Sequence, residues 1–241
     1  MKIKKLLPYA LLLGTTLLSV NTYSSVKVYH GLGQTSNFRV GPGKDSKEVP
    51  VYSLNYVTAS GIFDEKGRII DIIVDGLEVS TPNYDGESMP HFSGWPGTPG
   101  YNVTDHKSGN VTGTSDNSVD AITKEVSEWK TKRERGNNYG MNPRNDWNLQ
   151  MDNFEKFFRG KTIPEIEEWF KTSTSDINGR PLREKNKNPK DQEKYDKLND
   201  NQKKELTDLV AGATMSIRDS HGDILGAIKN AYENRREVTI D

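Results

Sequence analysis

The sequence predicts an α+β fold: an N-terminal antiparallel β-hairpin or sheet, a helical middle section and a C-terminal helix. Three observations carry this. "VYSLNYVTASGIFD" and "RIIDIIVDGLEV" are rich in β-branched and aromatic residues and flank the turn-forming "DEKG", Asp64 to Gly67. From Val119 the apolar period changes to that of a helix, with Val119, Ile122, Val126 and Trp129 on one face. Near the end, Ile224, Ala227, Ile228, Ala231 and Tyr232 form a second apolar stripe at helical spacing.

The elements follow in chain order. "MKIKKLLPYALLLGTTLLSVNTYSSV" runs from basic (Lys2, Lys4, Lys5) through apolar (Leu6 to about Val20) to small and polar, the order of a secretory signal peptide, here residues 1–24. The apolar run is short for a membrane span, and an uncleaved leader acting as an anchor is the alternative. Both place the remainder, 25–241, outside the cytoplasm. "VYHGLGQTSNFRVGPGKDSKEVP" is Gly-rich and reads as loop with one short strand. After the hairpin, "STPNYDGESMPHFSGWPGTPGYN" reads as a long irregular segment carrying Phe92, Trp95 and Tyr101, and "VTDHKSGNVTGTSDNS" as polar surface.

The first helix ends in "KTKRERG", and "DWNLQMDNFEKFFRG" is a second. "KTIPEIEEWFKT" is a third, with Thr162 as N-cap, Pro164 in the first turn and Glu165 completing a capping box. "SDINGRPLREKNKNPKDQEKYDKLNDNQKKE" reads as a solvated linker with helix fragments. The last helix is expected to start near Ser220, where Ser220 and Asp223 match an S-x-x-D box. The helical section around 118–205 reads as an insertion into a smaller domain.

Composition removes several function classes. Lysine and arginine number 33 against 34 acidic residues, a net charge of -1, so no nucleic-acid partner is expected. No cysteine is present, which removes disulfides, thiolate metal sites and thioether haem attachment. His30, His91, His106 and His221 show no i, i+4 pairing, so no metal site is expected. There is no G-x-S-x-G, "GPGKDS" is not a phosphate-binding Walker loop, and no catalytic acid or base can be assigned.

What remains is "TDLVAGATMSIRDSHGDILGAI". Taken alone, Gly212 and Ala213 allow close packing of two chain segments. Taken with Asp208, the string Asp208-Leu209-Val210-Ala211-Gly212-Ala213-Thr214 resembles the flavinylation motif of the FMN-binding domain family. The segments "GPGKD", "FDEKGRIIDIIVD", "MPHFSGWPGTPGYN", "FFRGKTIPEIEEWF" and "NGRPL" look like parts of extracellular members of that family. The resemblance implies FMN as cofactor, joined by a phosphoester to the Thr214 hydroxyl by a flavin transferase. It further implies an electron carrier with a redox partner protein or membrane donor, rather than a self-sufficient enzyme. Gly212, Ala213, Met215, Ser216 and Asp208 accompany the acceptor, with Ser216 a second hydroxyl nearby. Ala211 departs from the Ser or Thr usual at that position.

The chemistry of such a group sets further expectations. Its phosphate would favour a helix N-terminus and Arg218, and its ring would need cover, for which Trp95 is the candidate. Trp95 plugging the core is the competing reading. Two other functions stay open: an exported module that binds FMN or another small ligand non-covalently, and a cell-surface interaction protein using the charged 180–205 region.

Overall fold

In the computed structural model, residues 26–84, 89–142 and 144–240 are described; the leader predicted over 1–24 lies outside them. Among these residues the first element is the 19-residue strand β1, Val26–Lys44. This corrects the expectation of a Gly-rich loop with one short strand. Two of its glycines, Gly31 and Gly33, are there because a helix passes over them. A Cβ at Gly31 would lie 1.8 Å from the Ala231 carbonyl oxygen, and one at Gly33 2.1 Å from that of Ala227.

Strands β2 (Pro50–Phe63) and β3 (Ile69–Ser80) form the predicted hairpin. Its turn is closed by Asp64, whose carboxylate accepts the Lys66 and Arg68 N–H groups at 2.8 Å. Gly67, at φ +76°, takes the left-handed position. Of the segment expected to be irregular, the described residues 81–84 and 89–101 form no helix or extended strand. The polar stretch after it holds a small hairpin that sequence reading missed, β4 (Asn102–Thr104) with β5 (Val111–Thr114).

Helix α1, Val119–Ser127, buries none of its residues, so the apolar face read there is not a core face. "KTKRERG" does not extend it. Thr131 instead caps a separate turn, α2 (Lys132–Arg135), by a capping box with Glu134. Helices α3 (Trp147–Phe158) and α4 (Ile163–Ser173) follow as predicted. At the start of α4 the Thr162 N–H donates to the Glu165 carboxylate at 2.7 Å. The segment read as linker holds α5 (Pro189–Asp196) and α6 (Asp200–Val210). Tyr195, Leu198, Leu206 and Leu209 bury there, so four well-spaced apolar side chains are enough to dock it.

A two-residue hairpin, β6 (Arg218–Asp219) and β7 (Gly222–Asp223), leads into α7, Ile224–Glu233. The N-cap of α7 is Asp223, accepting the Gly226 N–H at 2.9 Å, and not Ser220. Its stripe buries Ile224, Ala227, Ile228 and Ala231. The chain then adds β8, Arg236–Ile240, antiparallel to β1.

The main sheet therefore runs β3-β2-β1-β8, all antiparallel. Its inner face, alternate residues such as Val57, Ala59, Ile72 and Val74, shares one core with α3, α4, α6 and α7. Its outer face carries exposed Leu32, Phe38, Val40, Leu54 and Ile73. No helix among the described residues is long and apolar enough to cross a membrane.

Candidate functional site

The quoted motif closes α6 and turns onto α3. Asp208 is exposed in the last turn of α6, and Ala211, also exposed, is its C-cap. Gly212 and Ala213 return their N–H groups to the Leu209 carbonyl at 3.0 and 2.9 Å. Ala213 is fully buried, and a Cβ at Gly212 would lie 2.7 Å from the Asn153 amide. The small residues are thus explained by close packing on α3.

Packing also fixes the next two residues. The N–H groups of Thr214 and Met215 both donate to the Gln150 Oε1, each at 2.8 Å. Gln150 is itself buried and held by its own bond from Nε2 to the Asn145 carbonyl at 3.0 Å. The Thr214 hydroxyl is half-buried and 3.5 Å from the same Oε1, at the limit of a hydrogen bond. Met215 is buried. Ser216 is half-buried and accepts from the Arg180 Nε at 3.4 Å, which puts a guanidinium beside the Thr214–Ser216 segment. Arg218 is exposed on β6.

Two expectations change here. The N-terminus of α7 does not offer an anion site, because the Asp223 carboxylate already occupies it. Trp95 is not beside Thr214. It is 70% exposed and lines a 370 Å³ cavity with Phe38, Tyr52, Leu54, Phe92 and Trp129, on the outer face of the sheet. It neither plugs the core nor covers the motif.

Residues that sequence reading passed over build a cleft on the inner side. It has a volume of about 790 Å³ and is lined by Arg39, Glu78, Arg135, Tyr139 and His221 among others. Glu78 is buried and pairs with Arg39 at 3.6 Å and Lys132 at 3.4 Å. Arg39 donates from Nη1 to His221 Nε2 at 2.6 Å, so the ring proton sits on Nδ1 and is donated to Asp219 at 3.1 Å. Burial pushes the Asp219 carboxyl up, but the hydrogen bonds from the His221 ring and backbone outweigh it and hold the group below its ordinary value. Tyr139 lies under two cations, Lys132 at 5.2 Å and Arg135 at 4.8 Å from its ring centre. Thr214 and His221 sit at the two ends of one short segment, which spans at most about 25 Å when extended.

A neighbouring cavity of about 910 Å³ shares Met89, Arg135 and Asn138 with the cleft and includes His91. Burial first, then the charges of His106 and Arg135, lower the His91 pKa to about 4. The unfolded chain, titrating near 6.5, binds more protons than the native one between these values. Stability from this group is therefore complete above about pH 6.5 and falls as pH drops toward 4. We expect urea midpoints to show about 2 kcal/mol lost between pH 6.5 and pH 4.5, absent from His91→Phe. Equal losses in both proteins would contradict the assignment.

No family model matches the chain, and no solved structure matches it. A protein named chlorophenol reductase from Desulfitobacterium hafniense is similar at 30% identity over 220 residues, 88% of this chain and 59% of that protein. The chain thus spans about three fifths of the length of the curated relative it matches.

Proposed function

We propose that this chain is an exported flavoprotein of the FMN-binding domain type, which carries FMN on Thr214 and passes electrons from a membrane-associated donor to an extracytoplasmic acceptor. The observation that carries the reading is the Asp208-to-Thr214 string, held on α3 by Gln150 with its hydroxyl half-buried. The relative's name, a reductase, supports a redox role. The leader-like N-terminus supports export, and covalent attachment keeps a cofactor that would otherwise diffuse away.

The residues present suit the group. Attachment by a flavin transferase forms a bond from the Thr214 Oγ1 to the phosphorus of FMN. It breaks the pyrophosphate of FAD, releases AMP and passes the hydroxyl proton to base or solvent. Arg180, already within 3.4 Å of Ser216, supplies a cation for the phosphate. The cleft at the other end of the 214–221 segment has the volume of a cofactor site. The flavin, when bound, supplies reversible electron uptake; the protein supplies position and charge.

A second reading is favoured by the same cleft. Its polar lining would hold a ring without any bond to Thr214, and Ala211 weakens the match to the attachment motif. Denaturation separates the two. Expressed with a flavin transferase, the covalent protein keeps its flavin fluorescence on a denaturing gel. A band that is dark while the native protein is yellow supports the second reading.

A further inference from the structure

Strands β1, β2 and β3 turn alternate residues outward, away from the helices. An antiparallel sheet face left to water is normally polar. This one is mostly not. The register stacks outward rows from His30–Ile62–Asp71 at one end to Phe38–Leu54–Val79 at the other. No lysine, arginine or glutamate stands in these rows, and their only carboxylates, Asp71 and Asp75, lie on the edge strand β3. Both are engaged at that edge, Asp71 with Arg159 at 2.8 Å and Asp75 with the Arg133 N–H at 3.1 Å. Polar side chains on the face satisfy one another: the Tyr56 hydroxyl donates to Gln34, and His30 bonds Ser60 at 2.9 Å. Leu32, Phe38, Leu54 and Ile73 are each more than half exposed. Covering this face would take their apolar area out of water and strand no charge. At one end Phe38 and Trp95, each 70% exposed, rim the 370 Å³ cavity, whose lining carries no charged side chain.

We propose that this outer face is the interface of a twofold dimer, packed sheet against sheet on a second copy of the chain. Size supports that occupant. Nine residues at about 3.4 Å each and three strands about 4.8 Å apart make a plate of roughly 450 Å², so two plates bury about 900 Å². The Phe92–Trp95 loop at the cavity end carries the total past the roughly 1,000 Å² that a specific interface needs. Charge supports it too. A face without free charge has nothing to steer an oppositely charged partner and no lysine or arginine to hold an anionic membrane, yet it does not repel its own copy. The protruding Phe38 and the cavity lie at the same end. A twofold axis through that end seats each copy's Phe38 against the other's cavity.

Sedimentation velocity on the full chain tests this. At tens of micromolar the parent is expected to sediment as a dimer of the 27.1 kDa chain and to dissociate on dilution. Phe38→Glu and Ile73→Lys place a charge at two separate points of the face, on side chains exposed enough to leave the fold intact. Each is expected to weaken association at least tenfold while far-UV dichroism stays native, and if one does not fold the other carries the comparison. Ile177→Glu, at a side chain 65% exposed in the loop between α4 and α5, is expected to remain dimeric. A monomeric parent overturns the proposal, as does a dimer that a folded face variant leaves intact or that Ile177→Glu disrupts equally. A monomeric parent that floats with phosphatidylcholine vesicles, and stops doing so in Phe38→Glu, assigns the face to a membrane instead.

Discussion

A Gly33→Leu chain is expected to be unfolded at room temperature. At Gly31 and Gly33 helix α7 lies directly against the backbone of β1. The space at Gly33 is closed by the Ala227 carbonyl and the Ala231 N–H, both 2.1 Å from where a Cβ would stand. These are backbone atoms of a helix whose Ala227, Ile228 and Ala231 are fully buried, so no single side chain can step aside. The whole helix must lift, taking Ile224, Leu225 and Ile228 out of the core. Overpacking costs about 1–3 kcal/mol where neighbours can adjust, and more here, against a typical net stability of about 5–15 kcal/mol. Gly33→Ala should fold with a sharply reduced urea midpoint. A leucine variant with native far-UV dichroism and an unchanged midpoint would contradict the packing described.

The second large effect is expected at Gln150. Its side-chain oxygen accepts two backbone N–H groups, from Thr214 and Met215, and its nitrogen satisfies the Asn145 carbonyl. Gln150→Leu keeps the bulk and strands all three. With about 1–3 kcal/mol for each buried group left unpaired, a loss of about 3 kcal/mol is expected, read as a lower urea midpoint. The same substitution frees the backbone that presents the Thr214 hydroxyl. Flavin loading by the transferase should therefore fall at a temperature where the variant is still folded. A variant as stable as the parent would show that Gln150 does not hold the turn. Unchanged loading would show that presentation does not depend on it.

The parts of the fold written in local periodicity were legible in the sequence. The β2–β3 hairpin has its alternation and its Asp64–Gly67 turn, and α4 has its capping box. Elements whose reason lies elsewhere in the chain were not. Gly31 and Gly33 of β1 read as loop because α7, which needs them bare, comes nearly two hundred residues later. "EVTI" is too short to announce β8, which exists because β1 offers it an edge. Helix α1 has a helical period yet buries nothing, so period alone did not predict a core face.

The site divides in the same way. Asp208 to Thr214 stood out as a string, and its packing on Gln150 and Asn153 gives the small residues a structural reason as well. The cleft had no such string. Arg39, Glu78, Lys132 and His221 come from β1, β3, α2 and the β6–β7 turn, and only the tertiary fold brings them together. The one local sign was polar side chains at inward positions of otherwise alternating strands, Asn37, Arg39, Ser53 and Asn55. Trp95 was drawn in by its composition, and the sheet separates it from the motif.

The proposed attachment of one FMN to the Thr214 hydroxyl is read out by intact mass under denaturing conditions after expression with a flavin transferase. The parent is expected to gain the mass of one FMN residue and Thr214→Ala to gain nothing, while Ser216→Ala gains the same as the parent. A parent of unmodified mass, or an adduct that persists in Thr214→Ala, would contradict it.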